Sequence, residues 1–272
     1  MGRGLKKFTR PIKNWFPVSN FWFPAIEFWK FGEHLTRNEN LLSQRWNLRA
    51  QRIGAYGGTF DPIHLGHIEI ARAVVKYFAL DELLVIPAFK PPHKNLSAIS
   101  NSLHRYEMCC LALRDEPRIR VSKMEIELPE RPFTINTIER LRAEYGRQAQ
   151  LFFVMGADSF AEITTWHEYQ SLLASTNIIV SSRAEGHIAT DHLSDAVQKR
   201  IIDGRGRQDL TALINDGQGC FIYLTDFVKR EVSSTEIRRR VRASASIKGL
   251  TAPSVIAYIE EHHLYTEAQI NV

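Results

Sequence analysis

The sequence predicts an α/β fold in which a parallel, doubly wound sheet is covered by helices on both faces. Along residues 51–272, short apolar segments alternate with longer stretches whose apolar side chains recur every three or four residues. This alternation is typical of βαβ units, whose strands pair in parallel. Ligands of such sheets bind beyond the carboxyl ends of the strands, so the residues that directly follow each strand are the first candidates for a functional site.

The elements follow from these two patterns in chain order. Each predicted strand is an apolar segment: residues 52–56, 82–86, 119–122, 151–155, 177–182 and 220–225. Each predicted helix has apolar side chains at helical spacing: residues 68–78, 103–113, 134–145, 233–242 and 253–262. In the second helix this spacing is set by Leu103, Tyr106, Cys110 and Leu113. Gly57 and Pro87 end the first two strands, Gly146 ends the third helix, Gly156 follows the fourth strand, and Pro253 lies in the first turn of the last helix.

The composition is that of a globular protein, and its basic character is confined to one segment. Of the 272 residues 44% are hydrophobic and 24% are charged, which suits a mid-sized domain with an extension. Residues 1–50 carry nine basic and three acidic residues, a net charge of +6, whereas residues 51–272 carry 26 basic and 27 acidic residues, a net charge of −1. Because the body is nearly neutral, we expect no nucleic-acid partner.

Cysteine usage and hydropathy bear on the cellular compartment. The three cysteines are Cys109, Cys110 and Cys220, a spacing that fits neither a disulfide framework nor a zinc site. No apolar run approaches the roughly 20 residues that a membrane-spanning helix needs. We therefore expect a reducing, cytoplasmic setting and no transmembrane segment.

Residues 1–50 predict an N-terminal extension ahead of a single domain that spans residues 51–272. The extension holds ten of the 28 aromatic residues, and Trp-Phe-Pro occurs twice, at Trp15 and Trp22. Prolines interrupt any amphipathic helix in this segment. Two interpretations stay open: a loosely ordered extension, or a basic and aromatic segment that docks weakly on a membrane surface or on a partner protein.

The first candidate site is the motif GGTFDPIHLGH at residues 57–67, between the first strand and the first helix. Two glycines after a strand allow a ligand to approach the backbone closely. The following helix N-terminus offers unpaired N–H groups and partial positive charge, which suit a phosphate. His64 and His67 are three residues apart, so we expect them to share a helical face and to donate hydrogen bonds to phosphate oxygens.

The second candidate site is the motif SSTEIR at residues 233–238. Ser233 and Glu236 have the spacing of a capping box, which by itself predicts only the start of a helix. A capped helix N-terminus is also an anion site, and Arg238, one turn further, suits a phosphate through two parallel hydrogen bonds. The arginines that follow, Arg239 and Arg240, are expected to be solvated.

Two further segments supply weaker candidates. Asp158 follows the fourth strand, where a carboxylate is well placed for a ribose hydroxyl, and Trp166 is the only tryptophan in residues 51–272. A flat aromatic ring beside such a site suits stacking on a heterocycle, although core packing explains it equally well. Lys94, in the segment PPHK after the second strand, offers a cation for a triphosphate.

These motifs together resemble bacterial nicotinate-nucleotide adenylyltransferases, within the adenylyltransferase branch of the HxGH nucleotidyltransferase superfamily. The matching segments occur in the order of that family over about residues 51–266: GGTFDPIHLGH, PPHK, PFTINTI, MGADSF, TWHEY and SSTEIR. The resemblance implies a Rossmann-like fold of the nucleotidyltransferase type, with residues 51–272 as the catalytic domain. Nothing in that family accounts for residues 1–50.

The resemblance also implies a reaction, in which nicotinate mononucleotide and ATP give deamido-NAD and pyrophosphate, and it assigns the site residues. His64, His67 and Arg238 would be catalytic. The ATP site would comprise Gly57, Gly58, Thr59, Phe60, Lys94, Gly156, Asp158, Ser233, Thr235 and Arg238. The nicotinate mononucleotide site would comprise Thr134, Trp166 and His167, with the ring on the tryptophan and the carboxylate on two backbone N–H groups. Mg²⁺ would arrive with ATP, so the resemblance implies no protein metal site.

Other functions remain open from the sequence alone. The acceptor could be nicotinamide mononucleotide or phosphopantetheine with the same chemistry. A non-catalytic nucleotide sensor or RNA-binding protein would retain the fold but would not need His64, His67 and Arg238 together. The HxGH element also resembles class I aminoacyl-tRNA synthetases, but the chain has no Lys-Met-Ser-Lys-Ser segment. The oligomeric state stays open.

Overall fold

Helices lie on both faces of one seven-stranded sheet in the computed structural model of the protein. The structure describes residues 50–89, 99–127, 133–183, 188–207, 209–215, 219–228 and 230–266. Residues 1–49 of the predicted extension and the predicted ATP ligand Lys94 lie outside the described residues. No helix in the described part of the chain is long and apolar enough to cross a membrane.

Every pairing in the sheet is parallel, and the strands lie in the order β3-β2-β1-β4-β5-β7-β6. The strands are β1 (Arg52–Gly58), β2 (Glu82–Pro87), β3 (Ile119–Val121), β4 (Gln150–Gly156), β5 (Asn177–Arg183), β6 (Ile201–Asp203) and β7 (Ile222–Val228). The order reverses direction between β1 and β4, which are hydrogen-bonded neighbours. This is the switch point at which ligands of open α/β sheets bind.

Eight α-helices of the described residues connect or follow these strands. They are α1 (Leu65–Tyr77), α2 (Ser102–Leu113), α3 (Thr134–Tyr145), α4 (Ala157–Ala161), α5 (Tyr169–Ser175), α6 (Asp195–Gln198), α7 (Ser234–Arg242) and α8 (Pro253–Glu261). The first turns of α1, α3 and α4 each follow the carboxyl end of a strand or the loop beyond it. Helix N-termini are therefore directed toward the edge at which a ligand is expected.

Side chains of the central strands alternate between two separate cores, as a doubly wound sheet requires. On one face, Tyr56 of β1 and Phe152 of β4 pack in a core with side chains of α1, α2, α7 and α8. On the other face, Ile53, Ala55 and Phe153 pack in a core with side chains of α3, α4 and α5. The two cores fix both sides of β1 and β4 and so hold their carboxyl ends in place.

The predicted fold class and the six predicted strands are confirmed. The sequence patterns did not predict β6, α4, α5 or α6, which are three to seven residues long and too short to show a repeating spacing. Strand β7 begins at Ile222 rather than residue 220, because its pairing with β5 begins there.

The predicted second helix is confirmed, but its buried face differs in part from the four residues that predicted the helix. Leu103 is 54% exposed, whereas the buried face of α2 consists of Arg105, Met108, Cys109 and Leu113. Because a buried arginine takes the place of an apolar residue, the apolar residues of the sequence indicate a face that is rotated by part of a turn from the buried one. Arg105 is buried because its side chain is hydrogen-bonded to the loops beside the candidate site.

Candidate active site

His64 and His67 lie where the β1–α1 loop, residues 59–64, enters α1. His64 is the N-cap, and its Nδ1 accepts a hydrogen bond from the backbone N–H of His67 at 3.4 Å. The Nδ1 of His67 accepts one from the backbone N–H of His64 at 3.3 Å. A neutral imidazole whose Nδ1 accepts carries its proton on Nε2, so both rings have an Nε2–H donor beside the positive end of the helix. This arrangement suits an anion.

The two imidazoles differ in exposure. Their rings stack with centroids 3.6 Å apart, but His64 is only 2% exposed, whereas His67 is partly exposed. The predicted proximity of the two rings is confirmed. The predicted cause, a shared helical face, is wrong, since His64 precedes the helix and the pair is joined by reciprocal capping bonds. His67 therefore offers the larger surface to a ligand.

Packing within the protein explains the two glycines that end β1. A Cβ on Gly58 would lie 2.7 Å from the ring of Phe60, and a Cβ on Gly57 would lie 3.1 Å from the ring of Phe153. The ring of Phe60 is 2% exposed and lies edge-on to Tyr56, with centroids 5.3 Å apart. Protein atoms cover the Phe60 side chain, and the prediction that residues 57–60 line the nucleotide path stays a prediction.

Helix α7 begins against the β1–α1 loop. Nη1 of Arg238 donates to the backbone carbonyl of Asp61 at 2.7 Å, across 177 positions of sequence, and Oγ of Ser234 donates to the carbonyl of Pro62 at 2.9 Å. Nη2 of Arg238 lies 3.5 Å from Oγ1 of the exposed Thr235. The structure thus brings SSTEIR into direct contact with the loop that ends in His64.

The predicted capping box at the start of α7 is only half formed. Oγ of Ser233 accepts from the N–H of Glu236 at 3.1 Å, as predicted. The Glu236 carboxylate pairs with Arg239 and Arg240 at 2.8 and 2.7 Å instead of returning to the N-cap. Hydrogen bonds from these arginines lower the pKa of Glu236 to about 2. Both arginine side chains are exposed, at 66% and 41%, so the prediction that they form a solvated face is confirmed.

Arg105 joins the loops behind the site, and sequence reasoning missed it. Its side chain donates to the carbonyls of Thr59 at 2.7 Å, Ser100 at 3.0 Å, Ala88 at 2.6 Å and Phe89 at 3.1 Å. One guanidinium thereby holds the end of β1, the end of β2 and the start of α2. A single arginine in a helix carries no sequence signal for this role, because it looks like an exposed charge.

A second cluster forms where α3 begins. Thr134 is the first residue of α3, and the ring of the preceding Phe133, 45% exposed, stacks on the ring of His167 with centroids 4.1 Å apart. The Trp166 ring lies edge-on to Phe153 of β4, with centroids 6.2 Å apart. The predicted acceptor residues Thr134, Trp166 and His167 are therefore near one another. The backbone N–H groups at the start of a helix are natural donors to a carboxylate.

Asp158 lies in the first turn of α4, directly after β4, and is exposed. A Cβ on Gly156 would have no heavy atom within 4 Å, so packing does not require glycine there. Both residues lie at the carboxyl edge of the sheet, as predicted. Their contact with ATP stays a prediction.

Glu125 is a second residue that the sequence did not reveal. It accepts a hydrogen bond from Oγ1 of Thr137 in α3 at 3.0 Å and another from the backbone of Phe89 after β2. Burial raises the pKa of Glu125 to about 7, against the opposing effect of these bonds and of Arg105. The carboxyl group thus connects the start of α3 to the loop that Arg105 holds.

No group of three or more histidine, cysteine, aspartate or glutamate residues within the described ranges could hold a metal ion. The donors near the loop, imidazole Nε2–H and guanidinium N–H, suit phosphate oxygens and not a cation. The expectation that Mg²⁺ arrives with ATP stays a prediction.

Comparison with known proteins agrees with these motifs. Residues 55–240 match the model of the cytidylyltransferase-like family. A protein of Thermoanaerobacter sp., named as a probable nicotinate-nucleotide adenylyltransferase, is 36% identical over 225 residues, which cover 82% of this chain and 98% of the relative. A Pseudomonas aeruginosa protein of the same name is 35% identical, over 79% of this chain and 97% of the relative.

Solved structures show the same fold. Plasmodium falciparum nicotinic acid mononucleotide adenylyltransferase, complexed with APC or with NaAD, is similar with TM-scores of 0.58 and 0.59 at 20% sequence identity. Each match covers 79% of this chain and 97% of that protein. At this identity the likeness concerns the fold.

Proposed function

Because the chain belongs to the nicotinate-nucleotide adenylyltransferases of the cytidylyltransferase-like family, we propose that it transfers AMP from ATP to nicotinate mononucleotide in NAD biosynthesis. A phosphate oxygen of the mononucleotide attacks the α-phosphorus of ATP, and the bond between that phosphorus and the oxygen bridging to the β-phosphorus breaks. Deamido-NAD and pyrophosphate are the products. No covalent enzyme intermediate is required.

The observation that carries this proposal is the contact between Arg238 and the β1–α1 loop. Its Nη1 is bonded to the carbonyl of Asp61, three residues before the N-cap His64. A permanent positive charge, the Nε2–H donor of the partly exposed His67 and a helix N-terminus are thereby gathered at the carboxyl end of β1, the central strand beside the switch point, with the buried ring of His64 stacked behind His67. This set of donors matches a triphosphate.

The chain's residues would act by positioning and by stabilising charge. As the α-phosphorus is attacked, negative charge grows on its oxygens and on the leaving pyrophosphate. The Nε2–H of His67 and the guanidinium of Arg238 would donate to those oxygens. Since the capping bonds fix the two imidazoles before ATP binds, little reorganisation is needed during the reaction.

The acceptor side would select nicotinate by its carboxylate. The backbone N–H groups of Thr134 and His167 would donate to this group, with the pyridine ring on Trp166. The Phe133–His167 stack, with ring centroids 4.1 Å apart, supports this arrangement because it holds the two donor segments together. The amide of nicotinamide mononucleotide would turn an N–H group toward those donors and leave them unpaired.

Mg²⁺ bound to the triphosphate would offset the repulsion between two anionic substrates. We expect the reaction to take place in the cytoplasm, and the three cysteines, all free thiols, suit a reducing compartment.

A pyrophosphate-release assay with ATP and Mg²⁺ tests the proposal. Nicotinate mononucleotide, nicotinamide mononucleotide and phosphopantetheine serve in turn as acceptors, with a reaction lacking any acceptor as the control. We expect release with nicotinate mononucleotide at a kcat/KM at least about tenfold above that with the other two. Equal or faster release with either rival would contradict the proposed acceptor.

A further inference from the structure

Asp61, in the middle of the β1–α1 loop, is a buried carboxylate held by donors from two distant segments. Its Oδ1 accepts a hydrogen bond from the hydroxyl of Tyr265 at 2.8 Å, and its Oδ2 accepts one from the N–H of Ser100 at 3.3 Å. The Asp61 residue is 1% exposed, and Tyr265 is 6% exposed. Water therefore cannot easily replace a lost donor at this carboxylate.

The same carboxylate lies close to Arg238 without forming a tight ion pair with it. Its Oδ2 is 4.0 Å from Nη1 of Arg238, while that Nη1 donates to the backbone carbonyl of Asp61 at 2.7 Å. A closer approach of the carboxylate would form a direct ion pair with the guanidinium. Such a pair would compete with an incoming phosphate for the same N–H groups.

Tyr265 is equipped to act as a hydrogen-bond donor at this position. Burial, together with the charge of Asp61, holds the pKa of Tyr265 well above its ordinary value, so the phenol keeps its proton. Met108 Sδ lies 3.9 Å from the hydroxyl and contributes to the packing around it.

The segment that ends in Tyr265 also holds the β1–α1 loop at two other points. Oγ1 of Thr251 donates to the carbonyl of Ile63 at 2.7 Å, and the carbonyl of Leu250 accepts from the N–H of Leu65 at 3.0 Å. These bonds lie on either side of His64. Residues 250–265 are thus connected to the loop along its length.

We propose that Tyr265 is a positioning residue for ATP binding. Its hydroxyl holds the carboxylate of Asp61 away from the guanidinium of Arg238, so that the guanidinium stays available to phosphate. This inference rests on the proposed function in so far as ATP is the ligand of Arg238. If the hydroxyl is removed, Oδ1 of Asp61 loses a buried donor, and Arg238 is a cation within 4.0 Å of the same carboxylate. The carboxylate then closes onto Arg238 and weakens ATP binding.

Calorimetric titration with Mg²⁺-ATP in the absence of any acceptor measures this effect without turnover. We expect Tyr265→Phe to raise the Kd for ATP roughly tenfold. The matched control is Tyr258→Phe, which removes a tyrosine hydroxyl bonded to Nδ1 of His104 at 2.9 Å. The control should bind ATP within about twofold of the wild type. An unchanged Kd in Tyr265→Phe would overturn the proposal.

The double variant Asp61→Asn with Tyr265→Phe separates positioning from general structural support. Without a charge at residue 61 this side chain cannot pair with Arg238, so the double variant should recover most of the lost affinity. A double variant as weak as Tyr265→Phe, or weaker, would show a structural role and overturn the proposal. If Tyr265→Phe does not fold by circular dichroism, Asp61→Asn alone decides: a Kd for ATP within about twofold of the wild type, or lower, is expected, and weaker binding would contradict the proposal.

The outcomes also separate this inference from the proposed function. A wild-type protein that binds ATP but releases no pyrophosphate with any acceptor would contradict the proposed function and leave the role of Tyr265 to be decided by the titrations. A wild-type protein that does not bind Mg²⁺-ATP would contradict both.

Discussion

The two halves of the candidate site use different chemistry. Around the β1–α1 loop, charged and ionisable side chains provide the donors, and bonds from distant segments hold them, as Arg238 and Arg105 illustrate. Where α3 begins, the predicted donors are backbone N–H groups, and the neighbouring Phe133 ring is 45% exposed. The first half suits the large charge of a triphosphate, and the second suits the shape and single charge of a small acid.

The two kinds of donor differ in how they respond to substitution. A side-chain donor is lost when its residue is replaced, whereas a backbone donor survives most replacements of the residue that carries it. We therefore expect large effects of substitution on the ATP side and small ones on the acceptor side, except where an aromatic ring is removed.

His67→Ala should lower kcat by about 10²–10³-fold, since it removes a preorganised donor to charge that develops in the reaction. The fold should persist, because His67 lies partly exposed at the start of α1 and the core below it is filled by Ile68 and Ala71. The measurement is the initial rate of pyrophosphate release at saturating substrates. His104→Ala, which alters an imidazole bonded to Tyr258, is the control, and a rate of His67→Ala equal to that control would exclude His67 from the chemistry.

Arg238→Lys should raise the KM for ATP roughly tenfold, because a lysine cannot hold the carbonyl of Asp61 and a phosphate in the geometry of a planar guanidinium. The KM for nicotinate mononucleotide should change little. Arg239→Lys, on the same helix but 66% exposed, is the matched control and should leave both constants unchanged. Equal effects of the two substitutions would show that only net charge at α7 matters.

Trp166→Ala should raise the KM for nicotinate mononucleotide about fivefold or more through the loss of ring stacking. His167→Ala should raise it less, by about two- to threefold, because the expected backbone N–H contact survives and only the exposed stack on Phe133 that supports the donor segments is lost. Steady-state kinetics with the acceptor varied distinguishes the two. A larger effect of His167→Ala than of Trp166→Ala would reverse the assignment of side-chain and backbone contacts.

Glu125→Gln should flatten the dependence of stability on pH. The folded-state pKa of Glu125 is about 7, raised from 4.5, so the stability supplied by the protonated carboxyl is present below pH 4.5 and is lost as pH rises through 7. A glutamine does not ionise, so the variant should gain on the order of 1 kcal/mol over the wild type at pH 8 and little at pH 4.5. Thermal unfolding at both pH values measures this, with the exposed Glu127→Gln as control. A variant less stable than the wild type at pH 8 would contradict the raised pKa of Glu125.

The sequence was sufficient for the elements with repeating patterns and for the motifs at their ends. Six strands and the main helices followed from periodicity, and the contact between SSTEIR and the histidine loop agrees with their shared position at the carboxyl edge of a parallel sheet. Such residues can be predicted because topology alone brings strand ends together.

The residues that the sequence did not reveal act through long-range contacts. Tyr265 and Asp61, separated by 204 positions, are bonded only after folding, and Arg105 reaches the carbonyls of Thr59 and Ala88 only then. The burial of Arg105 on α2 was not predicted, since a buried arginine bonded to carbonyls cannot be distinguished by residue type from a solvated one. The burial of the Phe60 ring was not predicted for a similar reason, because it depends on contacts with Tyr56 and His67.

A crystal structure of the protein with Mg²⁺ and a non-hydrolysable ATP analogue would show whether one triphosphate contacts both His67 and Arg238. We expect the triphosphate at the carboxyl end of β1, with Nε2 of His67 and the guanidinium of Arg238 both within about 3.2 Å of phosphate oxygens. A triphosphate bound elsewhere, or bound with the guanidinium still turned to Asp61 alone, would contradict this expectation.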